Sequence, residues 1–138
     1  MKKILASISL LFCICFCSAQ TDTVKRINPS TDRDKTYAKV ERESYFPGGE
    51  RAWRNFLQEN LEYPAKAKRK NIQGIVVVQF IVNTDGTLTD IQAISGPEEL
   101  QQAAIKVIKK SPNWVPAFQY GKNVKSYKKQ PVGFALQG

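Results

Sequence analysis

The chain has 138 residues, a formal net charge of +9 and no histidine, and its three cysteines are Cys13, Cys15 and Cys17. Beyond residue 20 it therefore has neither thiol nor imidazole, which excludes disulfides, cysteine or histidine catalysis and most zinc sites there. The length suits one domain of ordinary size.

The N-terminal residues, "MKKILASISLLFCICFCSAQ", follow the pattern of a secretory signal peptide over residues 1–20. Two lysines precede an apolar run, and small residues follow it. The run is short for a membrane span, which takes about 20 residues. Cleavage is the expectation, and an uncleaved membrane anchor is the alternative. Export without disulfides fits a bacterial envelope compartment.

Residues 21–44 are polar and charged, with one proline, Pro29, and no period of 2 or 3.6. They are predicted to form a flexible charged linker, with the folded domain at residues 45–138. Fully stretched, such a linker spans at most about 80 Å. Loss of Lys2 and Lys3 would lower the net charge from +9 to +7. The remaining surplus fits a solvated surface or an acidic partner, and no motif suggests nucleic acid.

The domain opens with a Pro-Gly-Gly turn and a helix predicted over residues 50–60, whose apolar stripe includes Trp53 and Phe56 as core residues. Tyr63-Pro64 ends this helix. Pro64 can begin a short second turn as a first-position proline. Gly74 ends that turn.

Two strands follow, at residues 75–82 and 88–95, joined by a tight turn at Asp85-Gly86. The first strand is apolar on one face and partly apolar on the other, which predicts a central strand. Gly86 would supply a positive φ angle. Leu88 and Ile91 have opposite parity, which predicts a bulge or a frayed start in the second strand.

A second helix is predicted within residues 97–110, with acidic residues in its first turn and lysines in its last. An irregular crossing that contains Trp114 leads to a last strand, 124–136, whose polar first half and Pro131 indicate a sheet edge. The predicted class is α+β. A three-stranded antiparallel sheet carries two helices packed on one face, in the order α-β-β-α-β.

No pair of carboxylates in this domain has a spacing that argues for acid–base work, and neither "FPGGE" nor "TDGT" is a phosphate loop. The sequence therefore predicts a protein that is not an enzyme and uses no cofactor or metal.

Five segments in order, "FPGGE", "YPAKAKRKNIQG", "VVVQFIVNTDGTLTDI", "ELQQAAIKVIKKSPNWVPA" and "PVGFAL", resemble the TonB C-terminal domain family. The resemblance runs from Phe46 to Leu136. It implies a periplasmic domain whose last strand adds a short segment of an outer-membrane transporter, the TonB box, to its sheet. An exposed edge has unpaired backbone groups that such a strand would satisfy.

The resemblance places the partner-binding residues on the last strand and at the Tyr-Pro motif: Tyr63, Pro64, Val124, Lys125, Ser126, Tyr127, Lys128, Lys129 and Gln130. The lysines would attract an acidic peptide. Each interpretation has an alternative. The lysines could instead keep the edge from aggregating. Tyr63-Pro64 could simply cap the first helix, and Trp114 could be a packing residue.

Three functions stay open at this point. The first is a periplasmic domain that binds peptide segments of envelope proteins. The second is a full energy-transducer subunit with an uncleaved anchor, although the linker is short and has one proline. The third is a structural module that forms a homodimer through the sheet edge.

Overall fold

The computed structural model describes residues 35–137. The predicted signal peptide and residues 21–34 of the predicted linker lie outside the described residues. Within the described range the elements follow one another in this order: β1 (Thr36–Tyr37), α1 (Gly49–Asn60), α2 (Ala65–Arg69), β2 (Gly74–Val82), β3 (Leu88–Ser95), α3 (Glu98–Lys110), β4 (Ala117–Gln119) and β5 (Lys122–Phe134).

The sheet has the strand order β1-β5-β2-β3, and β4 pairs with β5. The mixed α+β class is confirmed, and β2 is central as predicted. The prediction of three strands is wrong, because the sheet has five. The two missed strands are short, with two and three residues. β1 pairs with a distant part of the chain, whereas β4 forms a local hairpin with the start of β5.

The longest ladder joins β2 to β5, from Gly74 opposite Phe134 to Val82 opposite Ser126. The ladder between β2 and β3 shifts register between Gln79 and Ile81, where Asp90 has a φ of 52°. This bulge is the one that the opposite parity of Leu88 and Ile91 predicted.

One face of the sheet carries the hydrophobic core. Alternate residues of β2 point into it, and both long helices add buried side chains, Trp53 from α1 and Leu100 from α3. Trp114 lies against Phe80 with ring centroids 5.1 Å apart, and it is 2% exposed. The prediction that Trp53 and Trp114 are packing residues is confirmed.

The Asp85-Gly86 turn ties the hairpin to the crossing that follows α3. Gly86 has a φ of 87°, and its carbonyl accepts a hydrogen bond from the Trp114 N–H at 2.9 Å. Asp85 Oδ1 accepts hydrogen bonds from the hydroxyl of Thr87 at 2.6 Å and from its backbone N–H at 3.0 Å. These bonds, the hydroxyl first, lower the pKa of Asp85. The turn therefore anchors Trp114, in the segment that leads into β4.

Candidate partner-binding edge

Strand β5 has two margins with different neighbours. Its inner margin pairs with β2 along nine positions, from residue 126 to residue 134. Residues 122–124 pair with β4, and residues 125–126 pair with β1 on the outer margin, opposite β2. Beyond Ser126, no strand within residues 35–137 pairs with this outer margin.

The first part of the predicted binding segment is already paired. Val124 is buried opposite Ala117, and Lys125 lies opposite Thr36. Ser126 is 2% exposed, between Tyr37 on one side and Val82 on the other. The expected bare edge therefore begins only after Ser126, because residues from the predicted linker cover its start.

The second part of the segment is open on its outer side. Tyr127 is 47% exposed, opposite Ile81 on the sheet face that carries no helix. Lys129 is exposed on that same face, whereas Lys128 and Gln130 are half-buried on the other. Lys125 and Lys129 make no ion pair with any described residue. These two ammonium groups are available to an acidic partner.

A groove of about 520 Å³ lies beside this open part of the strand. It is lined by Ala38, Glu43, Gln79, Tyr127, Lys128 and Lys129. Because β1 runs parallel to β5 and ends at Tyr37, the groove begins where the next residue of an extended β1 would lie. The chain instead bends away at residues 38–39.

Residues 41–45 leave the groove and pair with the β4 region. Arg42 and Phe118 exchange backbone hydrogen bonds of 3.2 and 2.9 Å, and Tyr45 and Val115 exchange bonds of 3.1 and 2.9 Å. Glu43 reaches back to Lys128, with 3.1 Å between Oε2 and Nζ. Part of the predicted linker is therefore packed against the domain.

Tyr63 and Pro64 lie at the opposite end of β5. The Tyr63 hydroxyl donates a hydrogen bond to the Ile72 carbonyl, and its ring packs edge-on to Phe134 with centroids 5.5 Å apart. Pro64 precedes α2, and its carbonyl accepts a hydrogen bond from the Lys68 N–H. The structure does not bring this pair next to residues 124–126. Phe134 and Val124 are ten residues apart, about 33 Å along an extended strand.

A carboxylate between two lysines connects the end of α1 to α3. Glu62 accepts hydrogen bonds from Lys106 at 2.7 Å and from Lys110 at 2.9 Å. These bonds and the lysine charges lower the pKa of Glu62 to about 2. Glu62 thereby balances one of these two lysine charges, whereas Lys125 and Lys129 on β5 have no carboxylate partner among the described residues.

Sequence reasoning missed Thr36, Tyr37 and Glu43, which lie next to the candidate edge. The available signal was weak: a Thr-Tyr pair, both good strand formers, within a polar stretch. It also missed the β4–β5 hairpin, where Tyr120 and Gly121 both have positive φ angles of 50° and 74°.

The rest of the described chain offers little else as a site. Within residues 35–137 there is no cluster of three or more His, Cys, Asp or Glu side chains that could hold a metal ion. In that same range, none of the helices combines the length and the apolar character that crossing a membrane requires.

Comparison with known proteins identifies the family. The family described as the Gram-negative bacterial TonB protein C-terminal matches residues 59–136, more than half of the chain. The chain belongs to the TonB C-terminal domain family. The resemblance seen in the sequence is thereby confirmed.

The TonB2 protein of Pseudomonas aeruginosa is a relative of this TonB-type chain, 36% identical over 77 residues. The match covers 54% of this chain, and the chain spans only 28% of that protein's length. Two solution structures of the Helicobacter pylori TonB C-terminal domain are also similar, each with a TM-score of 0.49. They are 25% and 24% identical, and they cover 62% and 64% of this chain and 78% and 94% of those chains.

Proposed function

We propose that this TonB C-terminal domain works in the periplasm and binds an extended peptide segment of an outer-membrane transporter or another envelope protein. The segment would add as a strand to the outer margin of β5. The observation that carries the proposal is the margin itself. It accepts one short parallel strand at Lys125 and Ser126, and no described strand follows beyond that point.

Strand addition explains why few specific side chains are needed. Unpaired N–H and C=O groups of β5 would supply affinity through backbone hydrogen bonds, and nearby side chains would tune selectivity. The groove beside residues 127–129 provides room for the added strand. Lys125 and Lys129 make no ion pair with a described residue, so they favour a partner with carboxylates. The neighbouring Lys128 already has such a carboxylate partner in Glu43.

Titration of the isotope-labelled protein with a TonB-box peptide, followed by amide chemical shifts, tests the proposal directly. We expect shifts concentrated at residues 124–130 and at β1. Absence of any shift there at millimolar peptide would contradict strand addition to this margin.

Charge reversal then tests the role of the lysines. Lys129→Glu should lower the affinity for an acidic peptide by about threefold, which is the scale of one exposed ion pair. The loss should be smaller at high salt. Lys109→Glu is the matched control, because Lys109 is also exposed and without an ion pair among the described residues, but lies on α3. Equal losses in both variants would mean that only net charge matters.

A proline at Ser126 would not be a clean test of the margin. Ser126 is buried and paired on both sides, so the substitution would also disturb the ladder to β2. Side-chain changes at Lys125 and Lys129 leave that ladder intact.

The membrane attachment decides between a free domain and an anchored transducer subunit. Mass spectrometry of the protein isolated from cells gives its mass and therefore the residue at which the mature chain begins. A mass that lacks residues 1–20 supports the exported domain. A complete N-terminus supports the anchored transducer. Light scattering over a concentration series tests whether a second copy occupies the margin, because a homodimer would then form without any peptide.

A further inference from the structure

We infer that residues 35–40, called the strap below, are a placeholder strand on β5 that leaves when a partner strand binds. This inference rests on the proposed function and adds a competitor to it. The strap supplies the pairing that a partner would make at Lys125 and Ser126, in the parallel direction.

The strap and the residues after it pair with different parts of the chain. Only Thr36 and Tyr37 pair with β5, and Ala38 and Lys39 are exposed in the bend that follows. Residues 41–45, in contrast, are fixed by four backbone hydrogen bonds to residues 115–118. The strap can therefore lift at the bend while residues 41–45 keep their pairing.

A buried hydroxyl without a partner marks the place where the strap fits poorly. Ser126 Oγ is buried and has no hydrogen-bond partner among residues 35–137, and Ser126 is the residue opposite Tyr37. A buried polar group left unpaired destabilises the arrangement that buries it. A partner strand with a hydroxyl or amide side chain at the position of Tyr37 could satisfy Ser126, which gives such a strand an advantage over the strap.

Charge favours a partner strand with an acidic residue over the strap. Residue 35, next to the paired residues, is a lysine, and its ammonium lies 4.8 Å from the Tyr37 ring centroid. Residues 35–40 contain no Asp or Glu, so the strap itself offers the β5 lysines no carboxylate. An extended segment with an acidic residue near the position of Lys35 or Ala38 would pair with Lys125 or Lys129, which the strap leaves without an ion pair among the described residues.

Breaking the strap tests the inference in the purified protein. Tyr37→Pro removes a backbone N–H from the strap without changing β5, and Tyr37→Phe keeps that N–H and the ring as the matched control. Two probes are used: a TonB-box peptide, and a peptide with the strap's own sequence, "KTYAKV" (residues 35–40).

We expect Tyr37→Pro to bind both peptides about tenfold more tightly than the Phe control. This factor applies if the strap leaves the margin of the control free about one-tenth of the time, and the margin of the Pro variant free nearly all of the time. Hydrogen exchange at residues 125–126 should also be faster in the Pro variant. Equal affinities and equal exchange in the two variants would overturn the inference.

Mixed results separate this inference from the proposed function. If the TonB-box peptide binds both variants equally and the strap peptide binds only Tyr37→Pro, the partner uses other positions and the inference is wrong, although the proposed function stands. If the strap peptide gains affinity and the TonB-box peptide binds neither variant, the placeholder role is supported and the proposed partner is wrong.

Discussion

The two margins of β5 differ in how they are made. The inner margin pairs with one strand, β2, over nine consecutive positions, beside a core in which Val76, Val78 and Phe80 are fully buried. The outer margin pairs with β1 at two residues and beyond Ser126 has no partner strand among residues 35–137. The same strand thus serves stability on one side and is available for recognition on the other. Substitutions should separate these two roles.

The largest effect is expected from the core beside the inner margin. Phe80→Ala removes a fully buried ring that packs on Trp114, and it should lower the free energy of unfolding by about 3–5 kcal/mol. Ile75→Ala, on the same strand but 61% exposed, is the control and should change it by less than about 0.5 kcal/mol. Urea unfolding measures both. Similar losses would contradict the one-sided core.

The next effect concerns the turn that connects β2 and β3. Gly86→Ala places a Cβ 2.2 Å from the Trp114 carbonyl oxygen at a φ of 87°, so it should combine a backbone clash with strain. Gly121→Ala shares the positive φ, at 74°, but meets nothing within 4 Å. We expect the control to lose about 1–2 kcal/mol and Gly86→Ala to lose more. Thermal unfolding of the two variants checks the order.

On the outer margin, loss of an ion pair should hardly affect folding. Glu43→Gln removes the partner of Lys128, and because Glu43 is 77% exposed, the expected loss is at most about 1 kcal/mol. Hydrogen exchange should nevertheless accelerate around residues 41–45. A loss as large as that of Phe80→Ala would show that both margins support the core.

The smallest effect depends on pH. The pKa of Glu62 is about 2 in the folded protein, below its ordinary value of 4.5, so its ionised form stabilises the fold. This contribution is complete above about pH 4.5 and is lost as the pH falls towards 2. Wild type should therefore melt slightly above Glu62→Gln at pH 6, and the difference should vanish near pH 2. A difference that grows on acidification would contradict the two-lysine arrangement.

The sequence predicted the inner margin well because the strands and helices around it have periodic apolar residues. Alternate apolar residues in β2 require one buried face, and the opposite parity of Leu88 and Ile91 predicted a bulge or a frayed start, which the structure resolves as a bulge near Asp90. The stripe of α3 likewise gave its position within a residue.

The outer margin could not be predicted in the same way. The pairing of Thr36 with Lys125 joins residues 89 positions apart, through two rungs that leave no period in a polar segment. Polar strand positions and Pro131 drew attention to β5 as a candidate recognition strand, but they carry no information about which distant residues cover its start. Whether residues 124–130 bind a partner stays a prediction.

The nine-position ladder between β2 and β5 has a mechanical consequence. A partner strand lying along β5 and drawn along its own axis would load the ladder in shear, so that many hydrogen bonds resist together. The two rungs of β1 would instead peel open one after the other. The nine-position ladder would thus hold β5 in the sheet under a tension that detaches a two-rung strand such as β1.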